Sequence, residues 1–350
     1  MDVSLLLYYA FWFLFNYYFN LYNKFASTEA GGFENGMLVT LSVAQLCVCS
    51  LYGLAMWIVG YNPVALLGLQ KPTKHPLPKI GLGDIGSMMT LSIAFAATHT
   101  LGVIALTAGS PAFGQIVKAA EPVFAAVVNT FIYGKTISVS KWLVLPVIVG
   151  GVAISTLKPN ATGGYSVDYD MTALVAGGIC NVAAAFKGSE NAKALEKPGL
   201  KERLGGVGNT FALTIMIGFA VSLPVMILLE GAKWGEFVEL VTKSASFRYN
   251  IVASGIAFYL YNELATMTLS KTGAVTASVA NTAKRAIVLV GMAIALGKPL
   301  RFEEKVGATV AICAVLVYSL LKDKPKAKKD AAPEKNATDV PPTPLQKKVM

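Results

Sequence analysis

The sequence predicts an all-α membrane protein with ten transmembrane helices arranged as two inverted five-helix repeats. Three observations carry that expectation. Hydrophobic residues make up 54% of the 350 and charged residues only 14%, where a soluble domain carries about 25% charged; the mean hydropathy is +0.56. So little charge would leave a water-facing surface largely uncovered, and a bilayer is the solvent that fits. The apolar residues fall into ten blocks, near 4–25, 36–60, 82–106, 111–133, 139–157, 170–191, 208–229, 248–269, 273–296 and 303–321. Each is close to the roughly 20 residues that cross a hydrocarbon core. The blocks divide five and five around the polar stretch Lys158 to Asp170, and an odd number per half inserts similar halves with opposite topology. The halves are therefore expected at 1–157 and 171–321, with a linker at 158–170. A disordered basic tail is expected at 322–350, where little is available to bury. Barrel strands are excluded, because the runs do not alternate apolar and polar residues.

In chain order, the first block carries Asn16, Asn20, Asn23 and Lys24, which a shorter signal-peptide core would lack. Targeting is expected to be internal, or to rest on a segment removed before this numbering begins. The four polar residues share one helix face and either pack against other helices or line a path. The second block holds Cys47 and Cys49, which point apart. With Cys180 and Cys313 they read as buried free cysteines, giving no disulfide framework and no metal site. The third block contains His99, and a lone buried histidine is usually structural; its Gly102 to Gly109 stretch permits close helix packing. The fourth starts Gly109-Ser110-Pro111, carries Lys118 and ends Gly134-Lys135-Thr136-Ile137. The ninth follows the same plan, from Lys271-Thr272-Gly273 through Lys284 to Gly297-Lys298-Pro299-Leu300, which reads as a weak internal repeat. Loop lysines and arginines, Lys71 and Lys74 among them, favour the side of the termini by a small margin. That places both termini on the face from which insertion occurs.

Four basic residues stand where a membrane helix should have none: Lys118, Lys187, Lys284 and Arg285. A charge at the bilayer centre costs at least about 2.5–3.5 kcal/mol, so such residues face a partner or a water-filled cavity. One reading pairs Lys118 with Glu121 and Lys187 with Glu190, each at i, i+3, as structural salt bridges. It leaves the adjacent Lys284 and Arg285 with Glu263 at best. The other reading is a surplus of buried positive charge that binds an anion. A phosphate suits it, since arginine offers a planar fork and lysine a movable point charge. Tyr261 and Asn262 in the eighth block are polar groups able to read the rest of such a ligand. Two histidines, His75 and His99, make no metal site with the scattered acids, and neither a P-loop nor a Gly-x-Ser-x-Gly elbow is present. No cofactor is expected, and a nucleic-acid role is a poor use of a charge surplus concentrated in the tail.

Several of these segments resemble the plastid phosphate translocators of the drug/metabolite transporter superfamily. Asn16-Tyr17-Tyr18-Phe19-Asn20-Leu21-Tyr22-Asn23-Lys24 looks like their first-helix signature, and Lys118-Ala119-Ala120-Glu121-Pro122 like their Lys-x-x-Glu-Pro motif. Asn181 to Lys187, Leu260-Tyr261-Asn262-Glu263 and Asn281-Thr282-Ala283-Lys284-Arg285 are similar to their sixth-, eighth- and ninth-helix motifs. The resemblance implies that Lys118, Lys284 and Arg285 hold a phosphate group, that Tyr261 and His99 contact substrate, and that Lys187 stands where the family often has arginine. Gly102 is a further departure, replacing the usual serine or threonine. What it implies for activity is antiport: inorganic phosphate exchanged for phosphorylated C3 metabolites (triose phosphate, 3-phosphoglycerate, phosphoenolpyruvate) across a plastid envelope membrane by alternating access. A sugar-phosphate or nucleotide-sugar carrier of the same superfamily is the nearest alternative. A membrane-embedded enzyme acting on phosphorylated lipids is a more distant one, for which His99 would be the only available base.

Overall fold

The computed structural model describes residues 3–59, 77–160, 164–272 and 274–321. The expected tail at 322–350, the loop residues Lys71, Lys74 and His75, and Gly273 lie outside the described residues.

The described chain is helical apart from one hairpin. In the first part of the chain α1 spans Val3–Glu29, α2 Leu38–Val59, α3 Leu82–Ala108, α4 Pro111–Ala119, α5 Glu121–Phe131 and α6 Val139–Ser155. Strands β1 (Leu157–Pro159) and β2 (Tyr165–Val167) follow. Then come α7 Met171–Glu196, α8 Leu200–Leu204, α9 Val207–Glu230, a 3-10 turn, α10 Trp234–Lys243, α11 Ala245–Lys271, α12 Ala274–Ala295 and α13 Phe302–Leu320. Helix starts coincide with residues whose side chains satisfy orphan N–H groups. Ser110 accepts from Phe113 N–H at 3.1 Å, Asp170 from Ala173 N–H at 2.7 Å and Ser244 from Phe247 N–H at 3.0 Å.

Among the described residues, four helical stretches are long and apolar enough to cross a membrane: Leu38–Val59, Leu82–Ala108, Met171–Ala194 and Gly208–Lys243. Others fall short for reasons visible in their sequences. The segment α6 has 17 residues, the fourth block is divided into α4 and α5, and α12 carries Lys284 and Arg285 in its middle. Large apolar side chains such as Leu51, Ile58, Leu143, Leu228 and Ile294 point outward, which is the surface a bilayer accepts and water does not.

Three features depart from the block reading. The fourth block is broken at Ala120, because Pro122 has no N–H to continue the ladder. The linker 158–170 holds a strand pair: β1 and β2 run antiparallel, Leu157 opposite Val167. The seventh block continues through the 3-10 turn into α10. The cysteines are free, as expected, but Cys47 is half-buried and Cys313 exposed on the apolar exterior, leaving Cys49 and Cys180 as the buried pair.

The packing brings the first and second parts of the chain together. Helix α1 lies along α11, α3 along α7, α6 against α13 and α2 against α9. The α6–α13 contact is backbone against backbone. A Cβ on Gly151 would stand 2.6 Å from Ala311 N, and one on Gly307 would meet the Gly151 carbonyl. Any side chain at these two glycines is thus excluded, as in other close membrane-helix pairs.

Candidate functional site

Between these pairs lies a cavity of about 550 Å³, walled by α1, α3, α4, α5, α7, α11, α12 and α13. Its lining includes Ala125 and Lys187 within α5 and α7 and runs to Thr266, Tyr318 and Ser319 in the last turns of α11 and α13. Towards the opposite end α1 and α4 are bridged, Gln115 Nε2 donating to Asn20 Oδ1 at 2.7 Å.

Five of the six site residues expected from sequence line this one cavity: Lys118, Lys187, Tyr261, Lys284 and Arg285. Among the described residues, Glu121 is the one carboxylate in the wall. Four cations around one acid in a membrane interior is an expensive arrangement without a counter-ion.

The break at Ala120 explains how Arg285 is held. Glu121 N–H and Pro122 would ordinarily engage the carbonyls of Val117 and Lys118, four residues back. At the break the Val117 carbonyl accepts from Ala120 N–H at 3.0 Å and from Asn181 Nδ2 at 2.9 Å, and Arg285 Nη1 donates to the Lys118 carbonyl. Arg285 Nη2 also reaches Glu121 Oε2 at 2.7 Å. Lys-x-x-Glu-Pro thus positions an arginine from another helix: proline frees a carbonyl, and glutamate supplies the second anchor. Two of the five guanidinium N–H groups carry these contacts.

The adjacent Lys284 turns the other way. Its ammonium lies 5.4 Å from the Trp12 ring centre and 6.0 Å from that of Tyr261, within cation–π range. Lys118 Nζ approaches α3 at Gly102, where an added Cβ would stand 3.1 Å away; the missing side chain leaves room for the ammonium. Lys187 Nζ lies 5.6 Å from the Phe95 ring centre and presents a point charge rather than a fork.

Neither i, i+3 salt bridge forms. Glu121 goes to Arg285, while Glu190 accepts from Tyr133 Oη at 2.6 Å and from Lys193 Nζ at 3.1 Å. Glu263 does not pair with Lys284 or Arg285 either; it is buried outside the cavity wall, with Oε2 unpartnered. The sixth expected residue, His99, lies one ring behind the wall. Its ring centre is 4.3 Å from Phe258 and 6.0 Å from Phe19, and Phe19 is the residue that faces the cavity. The polar stripe of α1 divides. Asn16 and Asn20 line the cavity, whereas Asn23 Oδ1 accepts from Gln45 Nε2 at 2.9 Å in the helix packing.

Trp12, Gln115 and Asn181 are wall residues that the sequence reading did not single out as site residues. Gln115 had a legible signal, a polar residue one turn before Lys118 in an apolar block. Trp12 had none, because an aromatic in a membrane helix ordinarily reads as packing.

Fold and cavity together define a helical membrane protein with a basic internal chamber. The model of the Triose-phosphate Transporter family matches residues 3–319, and the chain belongs to that family. Its relatives include the chloroplastic glucose-6-phosphate/phosphate translocator 1 of Arabidopsis thaliana, 27% identical, with 90% of this chain and 74% of the relative covered. The chloroplastic triose phosphate/phosphate translocator of Spinacia oleracea is 27% identical over 91% of this chain and 72% of its own. The chloroplastic phosphoenolpyruvate/phosphate translocator 3 of Oryza sativa subsp. japonica is 27% identical over 90% and 74%. One crystal structure of a protein superimposes over 91% of this chain and 96% of its own with a TM-score of 0.50 at 14% identity, a likeness of fold alone.

Proposed function

We propose that the chain is a secondary antiporter of a plastid envelope membrane, exchanging inorganic phosphate for phosphorylated C3 metabolites by alternating access. The observation that carries this reading is the cavity in which Lys118, Lys187, Lys284 and Arg285 converge around a single carboxylate. In the assignment, Arg285, Lys284 and Lys118 hold the phosphate group, and Tyr261 packs against it beside Lys284. Lys187 meets the remainder of the substrate. His99 acts through Phe19 in this conformation and reaches substrate only if that ring swings aside. Relatives named for triose phosphate and phosphoenolpyruvate support the substrate class.

The proposed architecture is ten spans in two inverted halves, 1–157 and 171–321. It is supported by the pairing of α1 with α11 and of α7 with α3, the exchange of partners that a pseudo-two-fold axis would produce. Electrostatics then gives the coupling. The empty cation cluster repels itself, and closing low-dielectric walls around it raises that repulsion. A bound phosphate offsets it and permits the halves to rock around the site, so passage requires cargo in both directions.

A sugar phosphate as counter-substrate is the second reading. It is favoured by the relative named for glucose 6-phosphate and by a cavity of about 550 Å³, well inside the range for small organic ligands. The deciding experiment is labelled-phosphate uptake into liposomes carrying the protein. The liposomes are preloaded in turn with phosphate, triose phosphate, 3-phosphoglycerate, phosphoenolpyruvate, glucose 6-phosphate or a nucleotide sugar. The C3 compounds are expected to drive the fastest uptake. Fastest uptake against glucose 6-phosphate selects the second reading, and no uptake with any phosphorylated preload refutes both.

A further inference from the structure

A second cavity, also of about 550 Å³, lies where the end of α1 and the start of α11 meet the start of α4 and the residues just past α12, with Lys24, Lys298, Tyr22 and Tyr249 in its wall. It meets a third of about 350 Å³ lined by Phe15, Tyr18, Val252, Ala253, Ile256 and Ala257. The two share Tyr22 and Tyr249, whose hydroxyls are 3.4 Å apart, and so form one groove. It is separate from the cargo chamber. Its lining shares no residue with that chamber: Phe15, Tyr18 and Tyr22 follow i, i+3, i+7 along α1, and Lys24, Pro111 of α4 and Leu296, just past α12, close the charged end.

The groove is amphipathic along its length. At one end are two ammonium groups, and among the described residues no acidic side chain forms an ion pair with either. Glu29 shares the wall, but its carboxylate is engaged by Ser244 Oγ, Ser246 Oγ and Asn250 Nδ2 at 2.9, 2.7 and 2.9 Å. The other end is aromatic and aliphatic. From Phe15 to Lys24 is about 14 Å along the helix at 1.5 Å per residue, and one leaflet of a hydrocarbon core is roughly 15 Å deep. The lysines thus stand at headgroup depth when Phe15 stands near the bilayer centre. Tyr249, 61% exposed, sits where an aromatic ring with a polar tip belongs at a membrane interface.

From this match of charge, depth and apolar lining we infer that the α1–α11 groove binds one anionic phospholipid, its headgroup phosphate on Lys24 and Lys298 and an acyl chain laid past Tyr22 and Tyr249 towards Phe15 and Ala257. The test is thermal unfolding of the full chain in detergent, titrated with phosphatidylglycerol or with phosphatidylcholine of the same acyl chains. Phosphatidylglycerol is expected to raise the transition, and phosphatidylcholine to do so at least tenfold more weakly. In the Lys24→Gln/Lys298→Gln protein the apparent affinity for phosphatidylglycerol should fall about thirtyfold, from about fivefold per lysine at a membrane surface. Ala253→Trp, which fills the apolar end and leaves both lysines in place, should remove the shift as well. Equal shifts with the two lipids, or an unchanged shift in either variant, would overturn the proposal. Inorganic phosphate alone separates a lipid from a free-anion site. If the double variant loses the phosphate-induced shift while keeping that of the lipid, the groove holds a soluble anion instead.

Discussion

Arg285 on α12 grips Glu121 on α5 at 2.7 Å while capping the carbonyl of Lys118 across the helix break. One guanidinium thereby joins the start of α5, the end of α4 and the cation cluster. The geometry needs a planar fork, which lysine cannot supply. Arg285→Lys keeps the charge and loses the two-point attachment. Hydrogen bonds to charged groups are worth about 1.5–3 kcal/mol, so exchange should fall about ten- to hundredfold. Initial rates in liposomes, at matched protein content and unchanged melting temperature, check this; a rate within twofold of wild type would remove the special role of the fork.

Pro122 is the origin of the break. Pro122→Ala returns an N–H that competes with Arg285 for the Lys118 carbonyl and relieves a helix defect costing about 3 kcal/mol. The expected result is opposed in sign: a melting temperature unchanged or raised, and an exchange rate lowered at least about fivefold. Loss of both together would mean that the break serves folding only.

His99 and Phe19 lie 6.0 Å apart by ring centres, and only Phe19 faces the cavity. Residues acting through one contact are non-additive. The KM for counter-substrate should therefore rise in His99→Ala and in Phe19→Ala, and the double variant should be no worse than the weaker single one. Multiplicative effects would show that His99 meets substrate by itself.

At the α6–α13 crossing the neighbouring glycines give an internal control. A Cβ at Gly151 meets backbone at 2.6 Å, whereas one at Gly150 meets nothing within 4 Å. Gly151→Ala should destabilise by about 1–3 kcal/mol and Gly150→Ala by nothing measurable, both read by thermal unfolding in detergent. Equal melting temperatures would mean that the crossing relaxes freely.

The sequence made the helices legible because apolar runs of bilayer length have few other uses, and the cations because they interrupt those runs. The four cations among the expected site residues meet in one cavity for that reason, and Tyr261 joins them there. What local spacing could not reveal was partnership. Lys118–Glu121 and Lys187–Glu190 satisfy i, i+3 geometry, yet Glu121 is taken by an arginine 164 positions away. Pro122 was visible as part of a motif, but its consequence, carbonyls at the break that take donors from α7 and α12, depends on tertiary packing. The hairpin at 157–167 was hidden because Pro, Asn and Gly in a short linker read simply as loop. His99 shows the reverse case, in which a resemblance assigns a contact and the packing interposes Phe19.

The most direct test of the central claim compares labelled-phosphate uptake into liposomes loaded with phosphate and into empty ones, with Arg285→Ala beside the wild type. The account predicts uptake at least about tenfold faster into the loaded liposomes, with that excess lost in Arg285→Ala. Equal uptake into loaded and empty liposomes, or full exchange in the variant, would contradict it.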